Sequence, residues 1–168
     1  MGRIDLQIKC NMENLNAIKC PPDADWHFKV KCTSCNEVHD NVIYFNLTEK
    51  CDMPNSRGEA SFIQKCRLCE RTGSIEYVDG SVKTYTLNSN EKWATICSFE
   101  CRGIEPVEFM PADNFLAQSG VSEAIFGKNG EGEEPVDLAE GDWAGYDEEA
   151  EESIGIYEFK SQFVASKK

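Results

Sequence analysis

The chain has 168 residues, 40% hydrophobic and 28% charged, with nine cysteines and a formal charge of −13. This length suits one domain with a sizeable core, and the composition excludes a disordered chain. No apolar run approaches the roughly 20 residues that span a bilayer, and an acidic surface gains nothing from nucleic-acid phosphates and is repelled by anionic membranes.

Along the chain, Ile4, Leu6, Ile8 and Cys10 alternate with Asp5, Gln7 and Lys9, the period-two pattern of a half-buried strand. Trp26, Phe28, Val30 and Cys32 alternate with His27, Lys29 and Lys31 in the same way. Further strands are expected at Asn41–Leu47, Ala60–Lys65, Ser74–Val78, Val82–Leu87, Trp93–Cys101 and Val107–Met110. Asp79-Gly80 predicts a short hairpin between two of them, and Pro54–Gly58 marks another turn. Helix signals are confined to one turn at Ser122–Phe126 and a short segment at Tyr146–Ser153. Ile154–Phe163 closes the series, with Gly155, Tyr157 and Phe159 on one face and Ile154 and Ile156 on the other. The expected architecture is all-β, a single domain over residues 1–168.

The acidic excess is local. Between Glu131 and Glu152 stand eleven acids and no base. Such a run cannot be buried, so residues 127–152 are expected to form an acidic excursion over the surface. Val136, Leu138, Trp143 and Tyr146 punctuate it and would pin it to the body.

The first residues, Met1-Gly2-Arg3-Ile4-Asp5-Leu6, mix charge with apolar side chains and do not form a signal-peptide core. A cytoplasmic location with nuclear access follows as the expectation. In that reducing compartment nine cysteines point to thiols or metal ligation rather than disulfides. Cys32-Thr33-Ser34-Cys35 and Cys66-Arg67-Leu68-Cys69 are two C-x2-C units thirty residues apart. A two-residue spacing lets one tight turn aim both sulfurs at a single point, and two such turns supply a tetrahedral Zn²⁺ site. One zinc per chain on Cys32, Cys35, Cys66 and Cys69 is expected. Asn36 suits the left-handed residue that such a turn wants after its second Cys, whereas Glu70 suits it less well.

Competing chemistries fit less well. Four cysteines close the coordination shell and leave no position for a reacting water. The H-x-E pattern of zinc deaminases is absent. A thioredoxin-like dithiol would sit in a βα context, whereas strands flank both motifs here. His39, four residues after Cys35, could replace one cysteine as a ligand but reads better as a surface or hairpin residue. Lys29, Lys31, Lys65, Arg67 and Arg71 favour thiolates nearby and could also serve a nucleic-acid-binding zinc ribbon, a role the overall charge opposes. Cys10, Cys20, Cys51, Cys97 and Cys101 lack ligand spacing and read as small buried hydrophobes or reduced thiols.

There is also a short internal echo. Ile8–Leu15 resembles Phe99–Val107 with one inserted residue. Two β units related by a pseudo-two-fold would produce it, and so would chance.

With both knuckles located, the chain resembles the eukaryotic CXXC-motif-containing zinc-binding protein family. The resemblance rests on Met12-Glu13-Asn14, Lys31-Cys32 to Cys35, Gln64-Lys65-Cys66 to Cys69, Phe99–Val107, Asp142-Trp143, Tyr146-Asp147-Glu148 and Glu152–Glu158. It implies a complex β-sandwich-like fold with quasi-two-fold halves and one zinc on Cys32, Cys35, Cys66 and Cys69. It brings no established enzymatic activity. The chain departs from the family in Cys10, Cys20, Cys51 and Cys97 and in the Gly-Glu-rich stretch Gly127–Glu134. The functional expectation is a non-enzymatic protein-interaction module with structural zinc and a protein partner. A metal-handling or thiol-redox protein is the alternative, and a nucleic-acid-binding ribbon comes third.

Overall fold

A computed structural model describes residues 2–21, 25–39, 42–47, 51–52, 59–111, 115–127 and 136–166. In chain order the strands are β1 (Gly2–Glu13), β2 (Leu15–Lys19), β3 (Asp25–Cys32), β4 (Ile43–Asn46), β5 (Cys51–Asp52), β6 (Glu59–Ala60), β7 (Phe62–Lys65) and β8 (Thr72–Tyr77). They continue with β9 (Tyr85–Thr86), β10 (Ala94–Arg102), β11 (Ile104–Phe109), β12 (Leu116–Ser119), β13 (Ile125–Phe126), β14 (Trp143–Asp147) and β15 (Glu152–Ala165). One 3-10 turn at Leu87–Ser89 is the only helical element among the described residues. Among the described residues no helix is long and apolar enough to cross a membrane. The all-β expectation holds.

The strands form a six-stranded sheet (β14-β15-β1-β10-β8-β7), a four-stranded sheet (β13-β12-β2-β9), a three-stranded sheet (β11-β3-β4) and a small β5-β6 pair. Alternation dictates which side chains go inward. Leu6, Ile8, Cys10 and Met12 of β1 are buried, as are Trp26, Phe28, Val30 and Cys32 of β3. Phe28 is the hub of the core, with Phe45, Phe99, Phe109 and Phe163 at ring-centroid distances of 5.4–5.8 Å.

The central antiparallel pair β1 and β10 organises the molecule. Each strand leaves the large sheet at a left-handed residue and enters a lateral sheet: β1 bends at Asn14 (φ 53°) into β2, and β10 bends at Gly103 (φ 75°) into β11. Outside this pair lie two hairpins, β14–β15 against β1 and β7–β8 against β10. The quasi-two-fold halves are therefore read directly from the strand order. At the second bend β8 crosses close beneath β11. A Cβ at Gly73 would lie 2.7 Å from Ile104 Cγ2 and 2.8 Å from Ile104 N, so no larger residue fits there without moving backbone.

Several local expectations need correction. Asp79-Gly80 does turn the chain, with Ser81 N–H donating to Val78 O at 3.0 Å, but it closes no hairpin. β10 and β7 occupy both edges of β8, so the following segment runs on to pair as β9 with β2. Ser122–Phe126 is a bend followed by β13 rather than a helical turn. Tyr146–Ser153 is the tip of the β14–β15 hairpin, its turn closed by Ala150 N–H donating to Asp147 Oδ1 at 3.1 Å. In β15 the predicted two-face pattern breaks at Glu158, which takes φ 55° beside a register shift and whose N–H donates to Asp142 Oδ1 at 2.9 Å. Ile154 and Ile156 face inward before this bulge and Phe159 after it. The internal echo is real in place but shifted in register, because the equivalent bends are Asn14 and Gly103.

Within 127–152, Val136 pairs with Phe115 and is buried, Leu138 is buried, and Trp143–Asp147 is the edge strand of the large sheet. Residues 128–135, which hold most of the Gly-Glu-rich stretch, and the 54–58 turn lie outside the described residues.

Candidate metal centre

Cys32 ends β3, and Cys66 begins the turn between β7 and β8. Each C-x2-C folds into the same knuckle for the same backbone reasons. Asn36 N–H donates to Cys32 O at 2.8 Å, and Glu70 N–H donates to Cys66 O at 2.9 Å. Cys32 N–H reaches Glu37 O and Cys66 N–H reaches Arg71 O, both at 2.9 Å. These closures place Asn36 at φ 63° and Glu70 at φ 62°. The left-handed position thus falls where expected after the first knuckle, and Glu70 adopts it too. A non-glycine residue there costs about 1–2 kcal/mol, which the surrounding hydrogen bonds hold in place. Thr33 N–H donates to Gly103 O at 2.9 Å, tying the first knuckle to the β10–β11 bend.

The four sulfurs converge: all lie within 4.8 Å of one another. Cys32 Sγ is 3.5 Å from Cys69 Sγ, and Cys35 Sγ is 3.7 Å from Cys66 Sγ. Tetrahedral ligation with Zn–S bonds of about 2.3 Å requires sulfurs about 3.8 Å apart. The donor set, its number and its spacing fit zinc. Cys32 and Cys66 are buried, while Cys35 and Cys69 face outward and are half-buried.

Crowding four thiols divides their acidities. The backbone N–H of Cys69, and after it the side chain of His39, bring Cys66 down to about 6. Cys35 goes up to about 12: the backbone amide of Glu37 favours its thiolate, but burial together with the neighbouring sulfurs outweighs that. Cys32 is lowered too, chiefly by the backbone N–H of Cys35, while Cys69 is raised. Each knuckle thus forms one thiolate readily, and the other two need a cation among them.

His39, expected from the sequence as a surface or hairpin residue, takes a supporting place beside the centre. It is not one of the four converging ligands. Its Nδ1 lies 2.8 Å from Gln64 Oε1, its Nε2 is buried without a hydrogen-bond partner, and its side chain helps lower the Cys66 thiol. The only signal in the sequence was its position four residues after Cys35. Of the basic residues around the knuckles, Lys31 is paired with Glu105 at 3.2 Å and Lys29 with Glu108 at 3.8 Å. Cys10, Cys20, Cys97 and Cys101 are not among the converging sulfurs and are buried, and burial pushes the thiols of Cys10, Cys97 and Cys101 up to about 12; the side chain of Cys51 lies outside what the structure describes.

The chain matches the family described as CXXC motif containing zinc binding protein, eukaryotic, over residues 5–164. Proteins called CXXC motif containing zinc binding protein are 42% identical in Homo sapiens and 41% identical in Bos taurus. Each alignment covers 98% of this chain and 99% of the relative. Among solved structures, the crystal structure of C1orf123 superposes with a TM-score of 0.88 at 40% identity, covering 98% of this chain and 100% of that one. A hypothetical protein from Plasmodium falciparum gives a TM-score of 0.85 at 28% identity with the same coverage.

Proposed function

Because the chain belongs to the eukaryotic family of CXXC motif containing zinc binding proteins, we propose that Cys32, Cys35, Cys66 and Cys69 hold one structural Zn²⁺ in a non-enzymatic protein-interaction module. The carrying observation is the convergence of four sulfurs with no other ligand atom among the described residues, a set that fills a tetrahedral zinc shell without water or substrate. The metal would supply a cross-link between two sheets: Cys32 ends a strand of the three-stranded sheet and Cys35 follows it, while Cys66 and Cys69 tip the β7–β8 hairpin at one edge of the large one. What the cross-link presents supports an interaction role. Leu68 and Val38, 67% and 47% exposed, flank a concavity of about 190 Å³ that Glu37, His39 and Arg67 also line. Apolar side chains held rigidly between the opposite charges of Glu37 and Arg67 suit a protein partner with an apolar centre and a polar rim. The partner is met in the cytoplasm or nucleus.

Native mass spectrometry of protein purified from cytosol tests both parts. One zinc per chain is expected, lost in Cys66→Ser. Cross-linked partners recovered with the wild type should be lost in Leu68→Asp while its zinc is retained. Zinc-free protein would overturn the metal assignment, and partners unaffected by Leu68→Asp would overturn the interaction face. The half-buried Cys35 and Cys69 favour a second reading, in which the metal is passed on. Transfer of zinc to a chelator within minutes, without unfolding of β7–β8, would select it.

A further inference from the structure

The quasi-two-fold brings a second set of four positions together as it does the cysteines. A constant offset maps the β7–β8 hairpin onto β14–β15: the pairs Phe62 with Ile75 and Lys65 with Thr72 become Trp143 with Ile156 and Tyr146 with Ser153. The same mapping carries the contact of Ser74 with Arg102 onto Gly155 with Glu13. On the lateral sheets, Cys32 opposite Ile104 corresponds to Ser119 opposite Leu15. The backbone hydrogen bonds repeat as well. Thr33 N–H to Gly103 O at 2.9 Å is matched by Gly120 N–H to Asn14 O at 2.8 Å. Cys32 N–H to Glu37 O at 2.9 Å is matched by Ser119 N–H to Ala124 O at 2.9 Å. The left-handed residue after the second knuckle, Glu70, has its mate in Glu151.

Under this mapping Cys32, Cys35, Cys66 and Cys69 correspond to Ser119, Ser122, Asp147 and Ala150. These four also converge. Ser119 Oγ and Ser122 Oγ donate to Asp147 Oδ2 at 2.5 and 2.6 Å, and Ala150 N–H donates to Asp147 Oδ1 at 3.1 Å. Burial repeats too, the first and third members buried and the second and fourth half-buried in both sets. Asp147 is the one buried carboxylate among the described residues, and it stands where a metal cross-link stands in the other half.

We propose that Ser119, Ser122, Asp147 and Ala150 form the metal-free counterpart of the four-cysteine centre, a latent zinc position whose cross-link is made by a carboxylate. The inference rests on the assignment of zinc to the four cysteines. The exchange keeps the cross-link and changes its chemistry: a dication held by four anionic sulfurs would join two loops in one half, and one carboxylate held by two hydroxyls and an amide joins them in the other. The consequence is asymmetry. Metal loss should loosen only the half containing β3, β7 and β8, and the half containing β12, β14 and β15 should hold without metal.

The test is a pair of grafts measured with the wild type. Native mass spectrometry should find one zinc in the wild type and two in S119C/S122C/D147C/A150C. A wild type without zinc would fail the cysteine assignment itself. A wild type with one zinc and a folded graft that also binds only one would overturn the latent site alone. Should the cysteine graft not fold, the reverse graft C32S/C35S/C66D/C69A decides. Kept in chelator, it should stay folded with amide exchange in β7–β8 within about tenfold of the zinc-loaded wild type, and free exchange there would refute the proposal.

Discussion

Replacing Cys66 with Ser removes one of four sulfurs from the centre and with it the cross-link between the three-stranded and six-stranded sheets. The thirty residues between Cys35 and Cys66 set the chain entropy that the cross-link withholds from the unfolded state. For a loop of that length, closure is worth about 4 kcal/mol at 25 °C. At roughly 2–4 °C per kcal/mol for a domain of this size, the melting temperature should fall by about 10 °C. The loss is expected to be local first. β7 is an edge strand whose four residues are half-buried or exposed, so its pairing with β8, the stacking of Phe62 on Phe45 and the metal are what hold it. β1, between β10 and β15, keeps its core contacts. Hydrogen exchange should therefore quicken through Phe62–Tyr77 and at the end of β3, with β1 and β15 still protected. Thermal unfolding, zinc content and exchange on the same sample check this together. A variant with stoichiometric zinc and a melting temperature within about 2 °C of wild type would refute the cross-link argument.

Three further expectations follow from individual side chains. Phe28→Ala empties the hub of the aromatic core and should cost about 3–5 kcal/mol in denaturant unfolding, and a loss below about 1 kcal/mol would show that its four ring neighbours do not depend on it. The hydroxyls of Ser119 and then Ser122 hold the Asp147 carboxyl below the ordinary carboxylate range. Its contribution to stability is therefore full above the unfolded value of about 3.9 and disappears as pH falls through the lower folded value. In melts from pH 7 to pH 2, the gap between wild type and Asp147→Asn should stay constant above about pH 5 and close below it, and a gap unchanged in acid would contradict the assignment. With the thiols of Cys10, Cys97 and Cys101 raised to about 12 by burial, a thiol reagent at neutral pH should leave all three unmodified until the protein unfolds. Cys97→Ala should still bind one zinc.

The all-β class was legible because period-two burial is a local property. The alternations at Ile4–Cys10 and Trp26–Cys32 needed no partner to be seen, and both became inward faces, fully buried except at Ile4. The four-cysteine set was legible for a related reason: a two-residue spacing constrains a turn wherever it occurs, so Cys32, Cys35, Cys66 and Cys69 announced their chemistry in advance. Strand partnership was not local. Asp79-Gly80 carried every mark of a hairpin turn, but β10 and β7 already occupied both edges of β8. Leu15–Lys19 and Trp143–Asp147 escaped notice because five-residue strands gain their definition from the sheet they join. Nor does anything in the spelling of Ser119, Ser122, Asp147 and Ala150 suggest Cys32, Cys35, Cys66 and Cys69. Serine hydroxyls around a carboxylate and sulfurs around a cation share no residue type, and their equivalence exists only in the positions that the strand order and backbone hydrogen bonds impose.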